Sequence, residues 1–223
     1  MSELTLAFVQ AALNAPVGAQ ADVATRIITD SREAKAGDVF VALVGEQFDG
    51  HDYVADVLAK GVVAVIVSRE VVAGDARQIV VADTLAALGQ VAQAWRLKWN
   101  PKIVALTGSN GKTTVKEMCA AILRTALGDD AVLATAGNFN NEIGMPLTLL
   151  RLQAAHKVAV LEMGMNHFGE LARLTQIAKP DVALVNNASR AHIGNDFNGV
   201  ADIARAKSEI YAGLNPETGM AIL

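Results

Sequence analysis

The sequence predicts an α/β protein in two units: a small N-terminal α/β domain, then a mainly parallel-sheet domain of the P-loop type. Three observations carry this. Ala, Val, Ile and Leu dominate a chain that is 52% hydrophobic and only 4% aromatic, as expected where parallel strands are covered on both faces by helices. Short apolar runs alternate with helical patterns and turn signals along the chain. At 103–114 an apolar run, Ile-Val-Ala-Leu, empties into Thr-Gly-Ser-Asn-Gly-Lys-Thr-Thr and then into a helical pattern.

The elements follow in order. Leu4–Leu13 reads as a short helix. Strand-like runs stand at Val39–Val44, Val62–Val67 and Gln78–Val81, with a helix at Tyr53–Lys60 between the first two. Asp83 or Thr84 caps a longer helix that runs to about Lys98, and Trp99-Asn100-Pro101-Lys102 reads as a linker. This places one domain at 1–98 and another at 103–223. The second has strands at Ile103–Thr107, Val132–Thr135, Val158–Glu162 and Asp181–Asn186, and helices near 112–127, 142–152, 168–178 and 199–213. Gly219–Leu223 reads as an opening strand, so the expectation is a truncated second domain in a fragment of a longer chain.

Composition bounds the function. A length of 223 residues suits one large or two ordinary domains, each able to bury a core. A formal charge of −4 with no basic run argues against nucleic acid as a partner. The single cysteine, Cys119, reads as a small core residue, with no disulfide framework. No signal-peptide pattern and no membrane-length apolar run is present, so a cytoplasmic location is the default.

The 103–114 stretch has the chemistry of a phosphate-binding loop. The turn exposes backbone N–H groups, the helix N-terminus adds partial positive charge, Lys112 reaches terminal phosphates, and a Thr hydroxyl joins a magnesium shell. The strict pattern asks for glycine five residues before Gly111, where this chain has Leu106. The loop is therefore a variant in which Gly108 and Gly111 supply the freedom. An ordinary glycine turn is the plain alternative, but it does not require Lys-Thr-Thr after a buried strand. The nucleotide contacts read from it are Gly108, Ser109, Asn110, Gly111, Lys112, Thr113 and Thr114.

Ligands of open α/β sheets sit beyond the carboxyl ends of the strands, and here each strand ends in polar residues. The second is followed by the amide-rich Ala136–Asn141, the third ends on Glu162, and the fourth ends at Asn186-Asn187 with His192 beyond. Glu162 stands where a magnesium ion beside the phosphates needs a carboxylate; a solvated strand cap is the alternative. Lys207 interrupts the apolar stripe Val200, Ile203, Ile210, Tyr211 and Leu214. Either it snorkels to water, or it is a desolvated amine of lowered pKa, able to form a carbamate with carbon dioxide. The pattern leaves both open. His51 and His167 flank glycine or lie in loops and read as hydrogen-bonded loop histidines.

Taken together, Thr107–Thr114, Gly137-Asn-Phe-Asn-Asn-Glu-Ile-Gly-Met-Pro146, Glu162-Met-Gly-Met-Asn-His167, His192 and Ala206-Lys207-Ser-Glu-Ile-Tyr211 resemble the Mur ligases of peptidoglycan synthesis. Asp30-Ser31-Arg32, Gly37-Asp38-Val-Phe40 and Gly45-Glu-Gln-Phe-Asp49-Gly50-His51 resemble that family's uridine-nucleotide domain. The resemblance implies a three-domain, ADP-forming ligase, of which this chain holds the UDP-sugar domain and part of the central ATPase. A chain so truncated is expected to be inactive alone. ATP activates the substrate carboxylate as an acyl phosphate, which an incoming amine then captures.

By the same resemblance Lys112 binds the β- and γ-phosphates, while Thr113 and Glu162 hold one Mg2+. His192 and carbamylated Lys207 help hold a second, so that Lys112, His192 and Lys207 form the catalytic set. Ser31 and Arg32 contact the UDP-sugar, Glu46, Gln47 and Phe48 line the uracil pocket, and Asn138 and Asn141, with Asn140, orient a phosphate or the acyl end. The implied partners are UDP-MurNAc-tripeptide and D-Ala-D-Ala, taken up by a monomer. A sister ligase adding diaminopimelate or lysine is the alternative within the family. A nucleotide-binding module without chemistry is the alternative outside it, disfavoured by Glu162, His192 and Lys207.

Overall fold

The computed structural model describes residues 4–16, 25–190 and 196–223. The chain divides into two compact units, Met1–Ala94 and Trp95–Leu223.

The first unit begins with helix α1 (Leu6–Ala12), whose N-cap Thr5 accepts the Phe8 N–H. Four strands follow, β1 (Ile27–Ile28), β2 (Val39–Val41), β3 (Ala64–Val67) and β4 (Gln78–Val80), with α2 (Val54–Ala59) between β2 and β3. They pair in sequence order, all parallel, with Ile27 opposite Val39, Val39 opposite Ala64 and Val65 opposite Gln78. Every residue of β2 and β3 is buried, the mark of strands covered on both faces. Phe40, Val65 and Val67 form the core with Val54, Val57 and Leu58 of α2. The two-residue β1 has no sequence period to betray it. β2 stops three residues short of the expected Val44, because Val44 instead forms an antiparallel bridge to Asp49 across a turn.

Helix α3 (Thr84–Trp99) is capped by Asp83, whose Oδ1 accepts from the N–H groups of Leu85 and Ala86. It runs one residue beyond the expected end and stops at Asn100, which has φ of 46°. The division between units falls inside this helix.

The second unit contains β5 (Lys102–Thr107), α4 (Lys112–Leu127), β6 (Val132–Ala134), α5 (Gly144–Leu149), β7 (Val158–Glu162), α6 (Glu170–Ala178), β8 (Val182–Val185), α7 (Val200–Ser208) and β9 (Met220–Ile222). Its sheet is parallel throughout, in the order β6-β7-β5-β8-β9. β5 is central: the chain goes to one side of it for β6 and β7, then to the other for β8 and β9. The carboxyl end of β5 is thus a topological switch point. Gly219–Leu223 contributes a strand as expected, paired with β8.

Two helices of the second unit fall short of their patterns by more than a turn. α5 starts at Gly144 because the Asn141 side chain takes the N–H groups of Ile143 and Gly144. α7 gives way to a 3₁₀ turn at Glu209–Gly213, where Thr175 of α6 donates its hydroxyl to the Ile210 carbonyl. Among the described residues no helix is long and apolar enough to cross a membrane.

Candidate nucleotide site and sugar-nucleotide pocket

The switch point brings three strand ends together. Leu106 pairs with Glu162 and Thr107 with Val185, so the turn after β5, the carboxylate ending β7 and Asn186-Asn187 after β8 lie side by side. Between them is a cavity of about 440 Å3, walled by Ser109 to Thr114, Gly137, Asn138, Asn140 and Glu162.

The loop reaches the helix through Gly111, the N-cap of α4, which sits at φ of 72°. That conformation is strained for any residue with a Cβ. No side chain caps the helix, so its first N–H groups and positive dipole end face the cavity, as an anion site requires. The earlier turn is braced from β8. Asn187 Oδ1 accepts from the N–H groups of Ser109 and Asn110 at 3.1 and 3.0 Å, and the amides of Asn186 and Asn187 both donate to the Asn110 carbonyl at 2.9 Å. Lys112 Nζ donates to the Gly108 carbonyl at 2.9 Å, folded over the loop it serves.

Glu162 is not a solvated strand cap. It is 2% exposed, with Oε2 accepting from Thr113 Oγ1 at 2.9 Å and Oε1 from Asn140 Nδ2 at 2.8 Å. Its backbone N–H goes to Thr135 Oγ1 at 3.0 Å. Two hard oxygens, a hydroxyl and a carboxylate, therefore stand together beside an anion-binding helix end. Among the described residues there is no group of three or more His, Cys, Asp or Glu that would cage a metal. This donor set fits Mg2+, which takes one or two protein oxygens and completes its shell with phosphate and water.

Lys207 resolves in favour of burial. It is 1% exposed on the inner face of α7, with Ile203, Ala206 and Ile210 also buried. Burial, and then repulsion from Lys112, lowers its pKa to about 8. Val200, counted in the same stripe, is instead exposed. His192 lies outside the described residues. Of the amide segment, Asn138 and Asn140 wall the cavity, whereas Asn141 Oδ1 is used at the start of α5. Asn140 and Asn187 lie in segments the sequence marks, but their partners, Glu162 and the Ser109-Asn110 turn, emerge only in the fold; the buried Lys116 carries no sequence signal that singles it out.

The first unit has its own cavity, of about 360 Å3, at the ends of β1 and β2. Ser31, Arg32 and Phe48 are among its walls, with Asp30, Phe40 and Tyr53; Glu46 and Gln47 are not, standing exposed on the neighbouring turn. Arg32 grips Asp30 through both nitrogens of its fork at 2.6–3.1 Å. These bonds hold the Asp30 carboxyl down at about 2. The turn carrying Phe48 is braced by His51. Asp49, His51 and Ser68 stand in line, with His51 Nδ1 2.6 Å from Asp49 and Nε2 3.1 Å from Ser68 Oγ. The Ser68 backbone N–H already donates to Nε2 at 2.9 Å, so that nitrogen is not available as a base for the hydroxyl. This histidine is structural. His167 pairs with Asp196 at 2.9 Å, and Cys119 packs against the core of α4, β5, β6 and β7.

Comparison with known proteins agrees with this geometry. Residues 106–223 match the Mur ligase middle domain and residues 24–96 match the Mur ligase family catalytic domain. The UDP-N-acetylmuramoyl-tripeptide–D-alanyl-D-alanine ligase of Haemophilus influenzae is 47% identical over 199 residues, which are 89% of this chain and 43% of that protein. A crystal structure of MurF from Acinetobacter baumannii superposes with a TM-score of 0.88 at 41% identity, over all of this chain and 49% of that one. The MurF ligase of Thermotoga maritima in complex with ADP gives 0.81 at 34% identity, over 89% of this chain and 45% of that one. The chain thus spans less than half the length of these relatives. With its middle-domain match covering more than half of its residues, the chain belongs to the Mur ligase family.

Proposed function

We propose that this chain is the sugar-nucleotide-binding and ATP-binding part of an ADP-forming ligase that joins D-Ala-D-Ala to UDP-MurNAc-tripeptide in the cytoplasm. The observation that carries the reading is the Thr113–Glu162 pair at 2.9 Å beside an uncapped helix N-terminus, in a chain 47% identical to a relative of that name.

The chemistry follows from charge. A carboxylate oxygen of the tripeptide attacks the γ-phosphorus, the bridge to the β-phosphate breaks, and ADP leaves. The amine of the dipeptide then attacks the acyl carbon, the C–O bond to phosphate breaks, and the amine gives up a proton. The first step brings two anions together, so preorganised positive charge is the main catalytic resource. Lys112 and the N-terminus of α4 draw in the β- and γ-phosphates. Thr113 and Glu162 supply oxygens to Mg2+, which when bound screens the phosphate charge. Lys207, carbamylated, together with His192, would serve a second ion near the acyl carboxylate. Asn138 and Asn140 offer donors to the transferred group, while Asn141 acts by shaping their loop. In the first unit Ser31, Arg32 and Phe48 receive the UDP-sugar, with Glu46 and Gln47 at the rim and Tyr53 as a further aromatic wall.

Binding is the readout suited to a chain of this length. Calorimetric titration with UDP-MurNAc-tripeptide, and separately with ADP and Mg2+, should give two saturable events, the first lost in Arg32→Met and the second in Lys112→Met. Nucleotide binding without sugar-nucleotide binding, repeated in a protein of the relatives' full length, would overturn the substrate assignment.

A further inference from the structure

Lys116 is buried to 1% exposure, one helical turn beyond Lys112, and the reaction above makes no use of it. Its Nζ donates to the Thr135 carbonyl at 2.7 Å and pairs with Glu117 Oε1 at 2.7 Å. Methionine or leucine would fill the same space between α4 and the sheet without desolvating a charge. An apolar side chain cannot, however, donate to a carbonyl just past the end of β6.

That carbonyl belongs to a residue in contact with the site. Thr135 is itself buried; its N–H goes to the Val160 carbonyl at 3.1 Å, and its hydroxyl oxygen accepts the Glu162 N–H at 3.0 Å. A continuous set of bonds thus runs from the helix that carries Lys112 and Thr113, through Lys116 and Thr135, to Glu162. It closes on the same helix through Thr113. Two links of the set, Lys116 to Thr135 and Glu162 to Thr135, are buried and so costly to break, which resists relative movement of the helix and the carboxylate.

We propose that Lys116 is a positioning residue for the Thr113–Glu162 pair, setting the distance between the phosphate-loop helix and the carboxylate that serves a divalent cation. The proposal rests on the nucleotide-binding reading above. A buried ammonium acting on the phosphates by charge alone would require no Thr135 relay, and this separates the two roles.

The test is ADP binding to the 223-residue chain by calorimetry, with and without Mg2+, in the wild type, Lys116→Met, Thr135→Val and the double variant. Each single variant should lower the magnesium-dependent gain in affinity about tenfold while magnesium-free binding stays within about threefold. The double variant should be no worse than the poorer single, as for two links of one path. Should Lys116→Met fail to fold, Lys116→Gln, with an amide donor one atom short, is read in its place. An unchanged magnesium gain, an equal loss with and without magnesium, or additive effects in the double variant overturns the proposal alone. A wild-type chain with no affinity for ADP overturns the nucleotide reading and the proposal with it.

Discussion

Gly144 opens α5 at the foot of the amide loop, and replacing it by alanine sets two effects of opposite sign against each other. In an open helix the change stabilises by roughly 0.5–1 kcal/mol, because glycine has more backbone entropy to lose. Here the added Cβ would stand 2.4 Å from Phe139 Cα and 2.6 Å from its carbonyl carbon. Both are backbone atoms, so no side-chain rotation relieves the overlap, and residues 138–140 must shift by about an ångström. Overpacking of this kind costs about 1–3 kcal/mol. The net expectation is a destabilisation of about 1–2 kcal/mol.

The displacement reaches the site as well, since Asn140 holds Glu162 Oε1 at 2.8 Å and donates no such bond once moved. Trp95 and Trp99, the chain's two tryptophans, both belong to the second unit, so their fluorescence follows its unfolding in urea. With a slope of about 1–3 kcal/mol per molar, the midpoint should fall by about 0.3–2 M, and magnesium-dependent ADP binding should weaken with it. A midpoint at or above the wild-type value would show that helix propensity outweighs the steric overlap and would refute this account of Gly144.

Three further outcomes follow from the same geometry. Glu162→Gln should lower ADP affinity at least tenfold in Mg2+ and leave it unchanged or improved without Mg2+, where the carboxylate only repels phosphate; equal loss in both would sink the metal role. Asp30, held at about 2 chiefly by the Arg32 side chain, should titrate measurably higher by NMR in Arg32→Met while staying below its ordinary 3.8, because the backbone N–H of residue 32 still donates to it. Because its folded pKa lies below the unfolded value, the associated stability is present above about pH 3.8 and is lost as pH falls through about 2; no upward shift in the variant would mean that Arg32 is not the cause. In 13C-bicarbonate the wild-type chain should show a carbamate resonance that Lys207→Met removes, and a spectrum without that resonance would leave Lys207 as a plain buried amine.

Much was legible before any coordinates. β7 and α4 fall at the expected residues because a four-residue apolar run ending on Glu162 and a sixteen-residue pattern that opens on Lys-Thr-Thr carry their own local signals. The glycine turn into α4 was readable for the same reason: Gly111, at φ of 72°, and the Lys-Thr-Thr after it belong to one segment. What local pattern could not supply was partnership at long separation; only the family resemblance joined Thr113 to Glu162 in advance, and nothing joined Lys116 to Thr135. Thr113 meets Glu162 at a separation of 49 residues, and Lys116 meets Thr135 at 19. Neither pairing leaves a periodic trace.

Lys207 marks the boundary most clearly. Its place in an apolar stripe was visible, but whether a four-carbon arm reaches water depends on what packs over it, and only the fold supplies the cover that lowers its pKa to about 8. Asn141 and Asn140 divide in the same way: identical side chains in one short loop, one used to start a helix and the other to hold a carboxylate. By itself the sequence determined the parallel α/β class and the family, because these rest on local pattern and residue chemistry. The tertiary structure decided which polar side chains face the cavity beyond the strand ends and which merely hold the others in place, because that depends on strand order and register, and these bring together residues far apart in the chain.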